Sequence, residues 1–229
     1  MDKKMNNVDQ KVVDSFGKEW SSYNQQGLSD EERSLMFFQY FDIFPFDLIN
    51  KNSTGFDAGC GSGRFAKMMA TFCGKLYCVD PAKEALAVAK ESLKHLNNVE
   101  FMNASVDDMP LEEASQDFGY CLGVLHHIPD TLSGLKSCVS KLKEGAPFLL
   151  YLYYKFDHKP LWFKIIHKIT ELPRFLISRL PHSLKIFFCF WIATFIYLPL
   201  AKISLFLKKK GGIFQISLCL RIIIKVFIV

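Results

Sequence analysis

The sequence predicts an α/β fold, a doubly wound parallel sheet followed by a helical, basic extension. Three observations carry that reading. Apolar strand-like runs alternate with helical ones between about residues 54 and 153, as crossover connections of a parallel sheet require. A glycine-rich turn follows the first of these strands. Charge is divided unevenly over the 229 residues, with −6 on residues 1–150 and +11 on residues 151–229, so an acidic unit of enzyme size precedes a basic, apolar one. Half of the chain is apolar and 22% is charged, which excludes disorder and collagen-like repeats.

The elements follow in order. Residues 1–10 are polar and lack the apolar stretch of a secretory signal, so a cytoplasmic location is expected. The aromatic group Phe16, Trp20 and Tyr23 opens a capping helix. Ser29 before three acidic residues reads as a helix cap and predicts a helix over 30–41. Strands are expected at 54–57, 76–79, 99–102, 117–122 and 147–153, and helices at 64–72, 82–95 and 132–142. The last strand is continuously apolar, as a buried parallel strand should be. Beyond residue 154, Pro160, Pro173 and Pro181 are expected to cut the helical runs short. Residues 186–201 form an apolar run, Lys208 to Gly212 a break, and 213–229 a β-prone end. The domains expected are a helical cap (1–52), a ligand-binding core (53–154) and the extension (155–229).

Seven cysteines, Cys60, Cys73, Cys78, Cys121, Cys138, Cys189 and Cys219, form no CxxC pair, which suits reduced thiols better than a disulfide frame or zinc site. No metal is expected.

The sharpest motif is Asp57-Ala58-Gly59-Cys60-Gly61-Ser62-Gly63. A strand-to-helix turn of this kind lets backbone approach a nucleotide-like ligand. A dinucleotide fingerprint needs glycine at position 64, where Arg64 stands. Asp57 disfavours a pyrophosphate and suits a cationic ligand. Asp80 ends the second strand 23 residues later, where such folds place a carboxylate for ribose hydroxyls; its alternative is a helix cap before Pro81.

Together with Asp107-Asp108-Met109-Pro110 and Gly123-Val124-Leu125-His126-His127-Ile128-Pro129-Asp130, these residues resemble the class I S-adenosylmethionine-dependent methyltransferases. The likeness is to the small-molecule and lipid-modifying group that includes the ubiquinone and menaquinone enzymes, and it covers about residues 16–154. It implies a Rossmann-like core in which Gly59, Gly61 and Gly63 cradle the methionine moiety, with Asp57, Cys60 and Pro81 in the same binding set. It further implies that Asp80 holds the ribose, Ser105 and Val106 flank the adenine with help from Asp107, and Cys121, Leu122 and Gly123 floor the methyl site. Ser105 stands where the family usually has Asp, which predicts weaker cofactor binding.

Methyl transfer from a sulfonium needs alignment and exclusion of water more than acid–base groups. His126 and His127 follow the fourth strand and are candidates to take an acceptor proton; the other reading is that they shape the pocket. Trp20, Tyr23 and Tyr153 are expected either to close over the acceptor or to pack in the core. Arg64 reads as a solvent-facing helix start in preference to a partner for the cofactor carboxylate, and Cys60 as a packing residue. The acceptor is expected to be a small or lipid-linked molecule, with no nucleic acid.

The family's sheet has seven strands, and only 22 residues follow Leu207, too few for a helix and a hairpin. A shortened or frame-shifted chain lacking the last two strands is therefore expected, its end departing from the family after residue 213. For 186–207, a helical pair covering the site and touching a membrane surface is preferred over a membrane span, because Pro199 and Lys202 interrupt the run. The rival functions are a cofactor-binding protein without turnover and a membrane-associated interaction protein.

Overall fold

The computed structural model describes residues 7–22, 29–153 and 159–209. They form two compact units that divide after Tyr154. Tyr23 and residues 213–229 lie outside the described residues.

The first unit is built on five parallel strands, β1 (Thr54–Ala58), β2 (Lys75–Val79), β3 (Val99–Met102), β4 (Phe118–Leu122) and β5 (Phe148–Tyr151), in the order β3-β2-β1-β4-β5. Winding reverses between β1 and β4, and a doubly wound sheet opens its ligand crevice at that point, outside the carboxyl ends of the strands. β1 and β4 interlock. Gly55 lies against the ring of Phe118 and Gly119 against that of Phe56; an added Cβ would stand 2.4 Å and 2.5 Å from those rings. Each aromatic fills the space its cross-strand partner leaves.

The helices are α1 (Gln10–Ser22), α2 (Asp30–Tyr40), α3 (Ala66–Met69), α4 (Lys83–Leu93) and α5 (Thr131–Ser140). The cap of α2 is reciprocal: Glu32 N–H donates to Ser29 Oγ and Ser29 N–H donates to Glu32 Oε2. From α2 and the loop after it, Phe37, Phe41 and Phe44 cover one sheet face with Phe65, Leu76, Phe118 and Tyr120. The opposite face packs Phe56, Val79, Val106, Cys121, Leu125 and Cys138. Gly17 lets α1 lie close to α4, since a Cβ there would stand 2.9 Å from Glu84 Oε2.

Two expectations are corrected. The helix expected at 64–72 is a single α-turn, α3, because Thr71 N–H and Phe72 N–H close onto Met68 and Met69 at three-residue spacing, and the Thr71 hydroxyl also bonds Met68 O. The last strand stops at Tyr151. It pairs only with β4 among the described residues and is half-buried, not buried on both faces, and Tyr153 beyond it is 44% exposed.

The second unit contains α6 (Leu161–Ser178), α7 (His182–Ile192), a π-turn (Ala193–Tyr197) and α8 (Leu198–Lys209). Pro160 and Pro181 precede helices, as expected, but Pro173 lies inside α6 and Pro199 inside α8 without ending either. One turn before Pro173, His167 Nδ1 faces Glu171 at 3.6 Å and Thr170 Oγ1 donates to His167 O. Both pairs lie ahead of the position where the proline removes a donor, and the helix continues through it to Ser178.

Candidate cofactor and acceptor site

β1 runs into the glycine turn, which is stapled to the end of β2: Gly59 N–H and Cys60 N–H both donate to Val79 O, at 2.8 and 3.1 Å, and Gly63 N–H donates to Cys60 O. At Gly61 the backbone is left-handed, φ +54°, a conformation that favours glycine. There its N–H donates to Asp80 Oδ2 at 2.8 Å, while Asp80 Oδ1 accepts from Ala82 N–H at 2.8 Å. Burial holds the Asp80 carboxyl above its ordinary value, and these two donors offset only part of the rise. Asn103 Nδ2 donates to the carbonyls of both Asp80 and Pro81, binding the ends of β2 and β3 into one rigid rim.

Beside this rim opens a cleft of about 370 Å³ lined by Pro81, Asn103, Ala104 and Ser105, with Val8 and Gln10 from the N-terminal segment. Ser105 caps the short turn Val106–Asp108 without spending its hydroxyl on a capping bond. Val106 is buried, and its carbonyl accepts from Ser137 Oγ. Asp107 Oδ1 lies toward Gly134 of α5 and is buried with no partner.

Asp57 lies under the turn. Burial foremost, and then the charge of Asp80, raise its carboxyl to about 7, against the lowering influence of the Tyr120 hydroxyl and of Arg64. The Tyr120 hydroxyl faces Asp57 but falls outside strict hydrogen-bond geometry. Cys60 Sγ and Cys121 Sγ point into the core, where Cys78 and Cys138 respectively push each thiol well above its ordinary value. Only their backbone can reach a ligand, so Cys121 does not floor the site with its side chain. Strand alternation puts Leu122 on the other sheet face from Cys121, half-buried against the first core. Gly123 follows at φ +77°, with nothing within 4 Å of where a Cβ would stand.

Arg64 is the clearest correction on this side. It does not face solvent: its guanidinium is half-buried, 4.5 Å above the Phe65 ring centre and 5.4 Å from that of Trp20. Burial lowers it from its ordinary value, against the opposing influence of Tyr40, Asp57 and Tyr153. No carboxylate comes within ion-pair distance of it among the described residues. Trp20 in turn leans over the glycine turn, its Nε1 3.0 Å from where a Cβ on Gly61 would stand.

His126 and His127 form a short turn after β4, Leu125–His127. The His126 ring lies 4.1 Å from those of His127 and Tyr153, and both its nitrogens are shielded from water without a partner. Burial, then the neighbouring His127, push it down to about 4. His127 packs edge-on against Phe16 at 4.9 Å and is lowered by burial alone. Tyr153 connects through Tyr151 to Tyr40 and on to Phe65, so one aromatic wall joins β5, α2 and the glycine turn. Sequence reasoning missed Tyr40, Tyr151 and Asn103. No periodicity singles them out, since it is the sheet order that brings them to the site.

Residues 56–150 match the family described as methyltransferase domain. The ubiquinone biosynthesis O-methyltransferase of Xanthomonas campestris is 34% identical over 96 residues, 41% of this chain and 40% of that protein. The Vibrio parahaemolyticus protein of the same name is 33% identical over 92 residues, 39% of each. The chain thus spans about two fifths of the length of the curated relatives it matches. Among solved structures, the YcgJ protein of Bacillus subtilis superposes with a TM-score of 0.49 at 22% identity, covering 61% of this chain and 57% of that one. The glycine turn, the acid at the end of β2 and the strand order agree with the family match. Residues 56–150 therefore carry the match to the methyltransferase domain family, on a doubly wound sheet with its glycine turn and the acid at the end of β2 in place.

Proposed function

We propose that this chain transfers a methyl group from S-adenosylmethionine to a small-molecule or lipid-linked acceptor on the cytoplasmic side, where its free thiols are at home. The carrying observation is Asp80, whose two oxygens are fixed by Gly61 and Ala82 N–H while their remaining lone pairs stay available to ribose hydroxyls. The cofactor fits these residues. The cleft at Pro81, Asn103, Ala104 and Ser105 takes the adenine, Gly59, Gly61 and Gly63 lie along the methionine moiety, and the Arg64 guanidinium, which has no carboxylate within ion-pair distance among the described residues, offers a counter-charge to its carboxylate. When bound, the cofactor supplies an electrophilic methyl group on a sulfonium.

The protein's own part is to orient and to exclude water. Gly123 leaves room at the end of β4 for reacting groups. Tyr40, Tyr151 and Tyr153 give an acceptor an apolar wall, and Trp20 closes over the turn. With His126 held neutral and weakly basic, its part is to shape this wall. His127 is the imidazole that takes an acceptor proton. The ubiquinone name of the relatives supports a lipid-linked phenol as one acceptor to try.

Calorimetric titration with S-adenosylmethionine tests the reading, with S-adenosylhomocysteine as second ligand. Micromolar affinity that falls at least about tenfold in Asp80→Ala supports it. Folded protein that binds neither ligand overturns it.

A further inference from the structure

The second unit carries a surface that methyl transfer leaves unused. α7, the π-turn and α8 run without a break from His182 to Lys209. Within them Ser183–Ile203 is 21 residues long, with a mean hydropathy of 1.9 and none of it buried. Successive helical positions turn by about 100°, so Phe187, Phe188, Phe190, Trp191 and Phe195, which are 53, 41, 64, 46 and 62% exposed, spread over less than half of the circumference, and the apolar Ile186, Cys189 and Ile192 fill the remainder. A helix that is apolar all round has no face to offer to water.

Length and charge identify what covers it. At 1.5 Å per residue the segment reaches about 31 Å, matching a hydrocarbon core of about 30 Å. Lys185 lies near one end and Lys202 near the other. Their stems can run along the apolar surface while the ammonium groups reach headgroup phosphates. Pro199 does not oppose this, because the π-turn at Ala193–Tyr197 shifts the hydrogen-bond ladder just before the proline and the helix continues. α6 is built differently. Lys164, Lys168, Glu171 and Arg174 line one side, whereas Leu161, Ile165, Ile169, Leu172 and Leu176 are exposed on the others. That is the pattern of a helix lying in the interface plane. Residues 151–229 carry 13 Lys and Arg against 2 Asp and Glu, which selects anionic headgroups.

We propose that Ser183–Ile203 is inserted in the hydrocarbon of an anionic bilayer, with α6 lying among its headgroups. The partner is a lipid surface, and the inference stands independently of methyl transfer. It replaces the expected surface contact with insertion.

The test is flotation of the full chain with phosphatidylcholine vesicles, with and without phosphatidylglycerol, followed by washes in high salt and then alkaline carbonate. Insertion predicts more binding to the anionic vesicles and retention through both washes. A Phe190→Lys, Phe195→Lys double variant should lose at least about tenfold of the carbonate-resistant fraction. Its far-ultraviolet circular dichroism and S-adenosylmethionine titration report separately on folding and on the cofactor site. Release by salt alone overturns insertion, as does a detergent-free, soluble oligomer that ignores vesicles, in which a second copy covers the helix.

Discussion

Gly61 N–H donates to Asp80 Oδ2 at 2.8 Å, so the glycine turn and the acid that closes the neighbouring strand are one mechanical unit. Asp80 is only 8% exposed, and its other oxygen is fixed by Ala82 N–H. The carboxylate thus shapes the loop, and in the proposed function it also accepts from the ribose of the cofactor. Gly61→Ala separates these roles. Its Cβ would stand at 3.0 Å from Trp20 Nε1, in a left-handed backbone that alanine disfavours. Stability should fall by about 1–2 kcal/mol in urea titrations, and Trp20 fluorescence should change. Cofactor affinity should fall less than in Asp80→Ala, because the acid remains.

Asp57 gives the free protein a pH dependence of opposite sign to most carboxylates. Its folded value of about 7 exceeds its ordinary 3.8. Its contribution is fully present below 3.8 and is lost as pH rises through 7, because only the unfolded chain ionises it freely. The loss is on the order of 4 kcal/mol between those limits. Asp57→Asn should therefore raise the urea midpoint at pH 8 relative to the parent and leave it little changed at pH 4. A cationic ligand favours the ionised form, so S-adenosylmethionine binding near pH 7 should release protons. Titrations in buffers of different ionisation enthalpy read that number directly.

His126 acts from the other direction. Its value of about 4 lies below the ordinary 6.5, so the unfolded chain takes up a proton first as the solution is acidified. Its contribution is intact above 6.5 and is lost as pH falls toward 4. In His126→Phe, which keeps an aromatic ring between His127 and Tyr153, the melting temperature should fall less between pH 7 and 5 than in the parent. If His126 only shapes the pocket, this variant keeps methyl transfer, whereas His127→Phe loses it for acceptors that must shed a proton.

Arg64 separates the two ends of the cofactor. Its guanidinium has aromatic but no acidic partners among the described residues. Arg64→Gln should weaken S-adenosylmethionine by about tenfold or more, the usual worth of a charge-assisted bond. Methylthioadenosine, which lacks the carboxylate, should bind parent and variant equally. Equal weakening of both ligands would instead mark a general disturbance of Trp20 and the turn.

Much of this was legible in the sequence because the signals are local. The Ser29 cap, the β3 boundaries and the glycine turn depend on neighbours within a few residues. Asp80 needed only its distance from Asp57. What was not legible depends on tertiary placement. Arg64 reads as a polar helix start until α1 lays Trp20 beside it. Cys121 reads as pocket floor until strand alternation turns it to Cys138. Pro173 and Pro199 read as breaks, since a helix that continues through a proline, and the π-turn ahead of Pro199, have no simple sequence signature.

Ser105 tests how far the adenine end follows the family. It lies on the cleft with Asn103 and Ala104, and its hydroxyl makes no cap bond to the turn it precedes. An uncommitted hydroxyl accepts from an adenine amino group more weakly than a carboxylate would, because charge-assisted bonds are roughly twice as strong as neutral ones. Asp107 does not compensate, as its buried Oδ1 lies toward Gly134 of α5. Ser105→Asp should therefore tighten S-adenosylmethionine by about three- to tenfold in calorimetric titration. The gain should be the same for S-adenosylhomocysteine, which shares the adenine, and should vanish when the amino group is methylated. An unchanged affinity would mean that the Val106 backbone, and not residue 105, holds the base.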